Sequence, residues 1–325
     1  MAPTFRRDLR AAILTLATMA LLLAATIYAK GGVYGFTALW LRGGAVWVPV
    51  EASSPRLPPA MRLALQGAPP VRPGDLAWQD RAAGFQTAEL PVLANGAEVD
   101  HLLLARVDPA RFRFTARSDP AGTRLLEGWM DDPGTVLVIN GSYYGTHGEP
   151  DTPFVSNGAA LGPAQYDATH GAFVASDAFT GVRDLAGGDW RAALAEARDA
   201  MVSYPLLLAA DGSSRAGRSR WLANRSFVAQ DVDGWIVLGT TKEAFFTLDG
   251  LAAFLRAAPL RLTLALNLDG GPVACQGISL DGYQRRFCGL WELAVHDGQP
   301  SLLTYRWGAR ARVALPIVLA VMRRP

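Results

Sequence analysis

Three short segments of this sequence set polar, chemically able residues at the ends of apolar runs. They are Asn140-Gly141-Ser142-Tyr143-Tyr144, Asn224-Arg225-Ser226 and Asn267-Leu268-Asp269-Gly270-Gly271. A carboxylate or amide at the mouth of a strand, followed by glycine, stands where the backbone can approach a ligand closely. Asp269 is the candidate base or nucleophile. Arg225, at a strand start, offers a bidentate grip on a phosphate or carboxylate. Tyr143 offers an apolar ring, and Asn140 and Asn267 offer amides, a combination suited to sugars with apolar C–H faces and polar hydroxyls. The bland alternatives are ordinary Asn-Gly and Asp-Gly turns, a core tyrosine and a rim arginine.

Further polar residues lie in the glycine-studded stretch 146–162, which reads as a binding loop or a solvated connection: His147, Asp151 and Asn157. Glu243 follows a predicted hairpin at 226–241. A lone loop histidine is more often a hydrogen-bonded structural residue than an acid. Calcium is compatible with Asp and carbonyl oxygens near glycine turns, although no ligand spacing specifies it. Two cysteines and four scattered histidines argue against zinc.

The elements that must position these residues are mostly strands. Runs 85–92, 101–107, 111–116, 136–139, 171–175, 201–209, 226–231, 235–241, 262–268 and 313–321 have strand character, with Asn95-Gly96 and Asp233-Gly234 as hairpin turns. Helical spacing appears at 125–130, 189–198 and 248–258. The expected fold class is α+β, a mixed or antiparallel sheet core with few flanking helices.

Composition excludes several functions. Half of the 325 residues are hydrophobic, 18% are charged, and the net charge is +2 without a basic stripe, which argues against nucleic acid. At the N-terminus Arg6, Arg7 and Arg10 precede an uncharged run, 11–29, which as a helix at ~1.5 Å per residue spans roughly 28 Å. Arginines before the run predict a cytoplasmic N-terminus and a periplasmic or extracellular main domain. The alternative is a cleaved signal peptide and a secreted product. The expected organisation is a tail (1–10), a transmembrane anchor (11–29), a juxtamembrane and proline-rich spacer (30–77) with Trp40 and Trp47 at the interface, and a catalytic-type domain (78–325). Beyond a membrane, Cys275 and Cys288 are expected to form a disulfide, with two reduced buried thiols as the alternative.

The order and intervals of the three segments resemble the phosphodiester glycosidase family over residues 90–323. That family characteristically shows Asn-Gly-Gly-Phe-Phe, Ser-Asp-Gly, an arginine-led strand and Asn-Leu-Asp-Gly-Gly-Gly-Ser. Here Asn140, Gly141, Asn267, Asp269, Gly270 and Gly271 match. Ser142 replaces a glycine, tyrosines replace phenylalanines, Ser156-Asn157-Gly158 stands for Ser-Asp-Gly, and Pro272-Val273-Ala274 replaces Gly-Ser. The resemblance implies hydrolysis of a sugar-1-phosphodiester at C1–O, on envelope or extracellular glycoconjugates. Asp269 would be the principal carboxylate and Glu243 or Asp151 its partner. Arg225 would hold the phosphate, with Asn140, Gly141, Tyr143, His147, Asn157, Asn267, Gly270 and Gly271 lining the substrate site. The alternatives are a non-catalytic carbohydrate-binding or envelope-assembly module, and a metal-dependent phosphodiesterase splitting P–O.

Overall fold

The computed structural model describes residues 3–42, 44–67, 69–167, 170–305 and 313–324, without the side chains of 3–7 and 41–42. Arg6 and Arg7, part of the expected topogenic cluster, therefore have side chains outside the described residues.

Two antiparallel sheets carry the candidate site. The larger has eight strands. Its central order is Leu206–Leu208, Leu262–Asn267, Ser226–Asp231, Ile236–Thr241, Ala97–Val107, Phe85–Ala94 and Val71–Pro73, with Gln79–Ala82 also paired to Phe85–Ala94. The second has five strands in the order Tyr283–Cys288, Cys275–Leu280, Thr135–Asn140, Ile317–Arg323 and Phe112–Ser118. Their facing side chains interdigitate in one core that includes Phe85, Phe114, Ile139, Val228, Leu266, Ile278 and Leu319. Every residue of Thr135–Asn140 is buried, as its unbroken aliphatic run requires. A third sheet, centred on Gly171–Ala175 and Asp199–Ser203, adds Phe173 and Met201 to that core. All strand ladders among the described residues are antiparallel, and the fold is α+β as expected.

The outer face of the large sheet is covered by helix α5 (Leu248–Ala257). Its apolar stripe, Leu251, Phe254 and Leu255, packs against Leu104, Phe227 and Ala265. Thr247 caps it by accepting the N–H of Gly250 at 3.2 Å. The helix expected at 189–198 is shorter, Trp190–Leu194, capped by Asp189.

Two sequence expectations give way to packing. Segments of the stretch expected as a spacer (30–77) are docked on the domain. Ala45–Pro49 pairs with Gln299–Tyr305, Leu57 and Met61 are fully buried around helix α2 (Pro59–Leu65), and Val71–Pro73 pairs with Phe85–Ala94. Prolines are accommodated at the start of α2 and on a sheet edge, where no N–H is required. The run expected as one strand at 201–209 is two, Asp199–Ser203 and Leu206–Leu208. Pro205 has no N–H to donate to a ladder, so the chain leaves one sheet there and enters another.

The N-terminal helix α1 (Pro3–Arg42) is longer than the expected anchor and breaks at Gly32, whose φ of 52° and ψ of −146° are not helical. Asp8–Trp40 is apolar enough and long enough to cross a membrane, and none of its most apolar stretch is buried in the protein.

The two cysteines form the expected disulfide. They face one another across the hairpin Cys275–Leu280 and Tyr283–Cys288, with Cα atoms 4.0 Å apart and Asp281-Gly282 at the turn. Closing a loop with a separation of 13 residues restricts the unfolded chain. Cys275→Ser together with Cys288→Ser is expected to lower unfolding free energy by about 3 kcal/mol in chemical denaturation, and a reductant is expected to reproduce the loss in the native chain.

Candidate active site

Asn140 ends a buried strand, and its side chain ties two of the three polar segments together. Its Nδ2 donates to the Asp269 carbonyl at 2.7 Å, and its Oδ1 accepts the N–H of Cys275 at 3.2 Å. The backbone repeats the join, because the Asp269 N–H donates to the Gly141 carbonyl at 3.0 Å. Gly141 must lack a side chain, since a Cβ there would run into Ile317. Asn140 and Gly141 thus hold the Asp269 loop in place, and the Asn140 amide is spent on backbone instead of facing a hydroxyl.

Asp269 sits past the end of Leu262–Asn267, half-buried, with one carboxylate oxygen accepting the N–H of Gly270 at 2.8 Å. Two glycines follow for different reasons. A Cβ on Gly270 would lie 3.0 Å from the Asn224 carbonyl and 3.3 Å from Arg225 Nη1. Gly271 has φ of 69°, and the carboxylate of Glu292 occupies the space its Cβ would need. Gly271→Ala combines an unfavourable left-handed backbone with that clash. It is expected to cost roughly 1–3 kcal/mol or more of stability, measurable as a lowered denaturation midpoint.

Tyr143 and Tyr204 form the aromatic part of the site. Their rings stack with centroids 4.3 Å apart and planes 21° apart. The Tyr143 hydroxyl donates to the Tyr204 carbonyl at 3.0 Å and accepts from Asn267 Nδ2 at 2.8 Å. Asn267 Nδ2 also reaches the Tyr204 carbonyl at 3.0 Å, while its Oδ1 is buried without a hydrogen-bond partner. Burial pushes the Tyr143 phenol up, and the charge of Asp269 adds to it. Tyr204 is pushed up by burial, then by Asp151 and Asp269. Both phenols therefore stay protonated at neutral pH, and both carboxylates act on the same tyrosine.

Arg225 lies buried beneath Gly270. Its Nη2 donates to the Trp221 carbonyl at 2.6 Å and its Nε to the Phe246 carbonyl at 3.4 Å. Burial pulls its pKa down, while Tyr143, Glu292 and Asp269 oppose that shift. A guanidinium remains charged under these conditions and places positive potential under the Asp269 loop. Neighbouring Asn224 is a second staple. Its Nδ2 donates to the carbonyls of Thr241 and Lys242, at 3.1 and 2.8 Å, and its Oδ1 accepts from the N–H groups of Leu290 and Trp291, both at 3.0 Å.

The loop behind Arg225 is held by Asp100, whose buried carboxylate accepts N–H groups from His101, Lys242, Glu243 and Phe245 at 2.7, 3.0, 2.8 and 3.3 Å. Burial pushes its pKa up to about 7 against the pull of those donors. A carboxyl raised in the folded state favours folding most below its unfolded pKa of about 3.9, and that contribution is lost as pH rises through about 7. Asp100→Asn is expected to flatten the fall in stability between about pH 4 and 7, and to lower stability by about 1–3 kcal/mol through unmatched N–H donors. Denaturation midpoints across a pH series measure both effects.

The remaining candidates are dispersed. Asp151 is exposed at the rim, and its N–H bonds the Tyr143 carbonyl at 3.1 Å. His147 is also exposed, with Nδ1 3.3 Å from the Thr146 hydroxyl and its ring against Gly32 of helix α1. Asn157 occupies the Asn157-Gly158 hairpin turn, where its N–H binds Asp199 and its side-chain oxygen accepts from Arg198 Nη2 at 3.3 Å. Glu243 donates its N–H to Asp100 in the loop behind Arg225. Tyr204 and His170, whose ring lies 6.1 Å from that of Tyr204, had not been anticipated. The one signal for Tyr204 was the proline after it. Among the described residues no group of three or more His, Cys, Asp or Glu is arranged to hold a metal.

Residues 133–274 match the phosphodiester glycosidase family model. This interval contains all three polar segments and the Tyr143–Tyr204 stack. The fold is similar to that of the zebrafish N-acetylglucosamine-1-phosphodiester α-N-acetylglucosaminidase catalytic domain auto-inhibited by its pro-peptide. That pair is 15% identical over 88% of this chain and 93% of the other, with a TM-score of 0.50. A hypothetical protein from Synechocystis aligns at 14% identity over 79% of this chain and 64% of its own, with a TM-score of 0.47. A putative exported protein from Burkholderia pseudomallei aligns at 10% identity over 85% and 99%, also at 0.47. At 15% identity the likeness to the zebrafish domain is one of fold. No curated protein matches the chain.

Proposed function

We propose that the chain is a membrane-anchored, extracytoplasmic hydrolase that cleaves the C1–O bond of sugar-1-phosphodiesters in envelope or extracellular glycoconjugates. One observation carries the reading: hydrogen bonds join the Asp269 loop to Asn140 and Gly141, to Tyr143 and Tyr204 through Asn267, and to Asn224 beside Arg225, so three separate parts of the sequence meet at one loop. The family match over 133–274 supplies the reaction class.

A phosphodiester is already a good leaving group, so protonation of the departing oxygen matters less than for an ordinary glycoside. The reaction needs a carboxylate to activate water or trap the oxocarbenium-like centre, and positive potential for the departing phosphate. In this reading Asp269 is that carboxylate. Its partner is Asp151, whose N–H bonds the Tyr143 carbonyl, or Glu243. The protonated phenols supply donors and an apolar face for the sugar ring. Arg225 acts through its buried charge, its Nε and Nη2 being bound to carbonyls. The anchor is the apolar stretch of helix α1, and the disulfide accords with an oxidising compartment.

A panel of sugar-1-phosphodiesters in heavy-oxygen water tests the reading. Label is expected in the sugar, and Asp269→Asn is expected to lower kcat/KM by about 10³-fold or more with the denaturation midpoint retained. Label in the phosphate instead would assign P–O cleavage. The second reading, a carbohydrate-binding module, draws on the commitment of Arg225 to carbonyls and on the amide at Asn157. Binding without turnover, unchanged by Asp269→Asn, would decide for it.

A further inference from the structure

The anchor helix does not leave the domain at an arbitrary point. At its break, Gly31 and Gly32 lie against Thr146 and His147, and the ring of Tyr34 fills a cradle made by Gly122 and Gly148. A Cβ on Gly122 would collide with the Tyr34 ring, and one on Gly148 would lie 3.2 Å from it. Tyr34 is 7% exposed, meets Tyr144 edge-on at 5.6 Å between centroids, and lies hydroxyl to hydroxyl with it at 3.3 Å. Tyr144 is the next residue after Tyr143, the floor of the candidate site.

The segment that binds Arg225 also carries aromatic surface. Arg225 binds the Trp221 carbonyl, and the Trp221 indole meets that of Trp47 edge-on at 5.8 Å. Both indoles are substantially exposed, as are Phe36, Leu39 and Trp40 on the helical segment beyond the break. Exposed tryptophans continuous with an apolar helix have the composition of a membrane–water interface. The break at Gly32 thus falls where the helix meets Thr146 and His147, three and four residues along the chain from Tyr143.

From this geometry we infer that the substrate is a lipid: a sugar-1-phosphate esterified to a long-chain membrane alcohol, presented from the bilayer in which helix α1 sits. This rests on the hydrolase reading above and specifies its aglycone. The C1–O bond to phosphate breaks and the oxygen of water bonds to C1. One water proton passes to the released phosphate, leaving a reducing sugar in solution and a lipid phosphomonoester in the membrane.

The test uses the full chain in phosphatidylcholine–phosphatidylglycerol vesicles. One arm carries an N-acetylhexosamine 1-phosphate ester of a polyprenol in the same bilayer. The other supplies the methyl diester of the same sugar phosphate in solution. Sharing a bilayer raises effective concentration, so the polyprenyl ester is expected to turn over roughly 10²-fold more efficiently. Tyr34→Ala and Trp47→Ser are expected to lower turnover of the polyprenyl ester about tenfold while leaving the methyl diester within about twofold, a loss of ~1.4 kcal/mol confined to the membrane arm. Tyr34→Phe, which keeps the ring in its cradle, is expected to behave as the native chain. Equal or better turnover of the methyl diester overturns the lipid assignment while the hydrolase reading stands. So does an equal loss in both arms on Tyr34→Ala. Absence of turnover in both arms overturns the hydrolase reading itself, and the lipid assignment with it.

Discussion

The side chain of Asn140 is the joint on which this architecture turns. One amide group reaches the Asp269 carbonyl with its nitrogen and the Cys275 N–H with its oxygen. It therefore links the end of a central strand, the loop bearing the principal carboxylate and the start of the disulfide hairpin. A buried amide with both ends satisfied is stable, and one with either end orphaned is costly, which leaves the loop little freedom to adopt a second arrangement. Asn224 does the same for the arginine side, bridging the Thr241–Lys242 turn and the Leu290–Trp291 segment. Amides that resemble ligand contacts when seen as sequence are, in this fold, the fasteners of the frame around the ligand.

That frame explains what could be read from the residues and what could not. The strand ending at Asn140, the capped helix α5 and the hairpins at Asn95-Gly96 and Asp233-Gly234 follow from local patterns, because aliphatic runs, capping residues and left-handed turn positions act over a few residues. Tyr204 escaped notice because its role comes from a partner 61 residues away. Only the interruption by Pro205 hinted that the chain changes sheets beside it. Asn157 looks chemical for the converse reason. An amide before a glycine looks the same in sequence whether it faces a pocket or terminates a turn, and here Asn157 terminates one. The proline-rich stretch misled through composition, since prolines that rule out a central strand are welcome at a helix start and on a sheet edge.

The charges of the site are organised by burial more than by ion pairing. Arg225 is buried, and its neighbours are carbonyl oxygens, phenols and carboxylates that tolerate its charge. The tyrosines, for their part, are kept neutral by the same low-dielectric surroundings and by nearby negative charge. A site so arranged has its polarity fixed before any ligand arrives.

The disulfide belongs to this organisation because the residue whose amide grips Asn140 is itself one of the bridged cysteines. Sulfur chemistry and pocket shape are thereby coupled at a single residue. A reduced chain would therefore hold the wall around that loop more slackly than a bridged one.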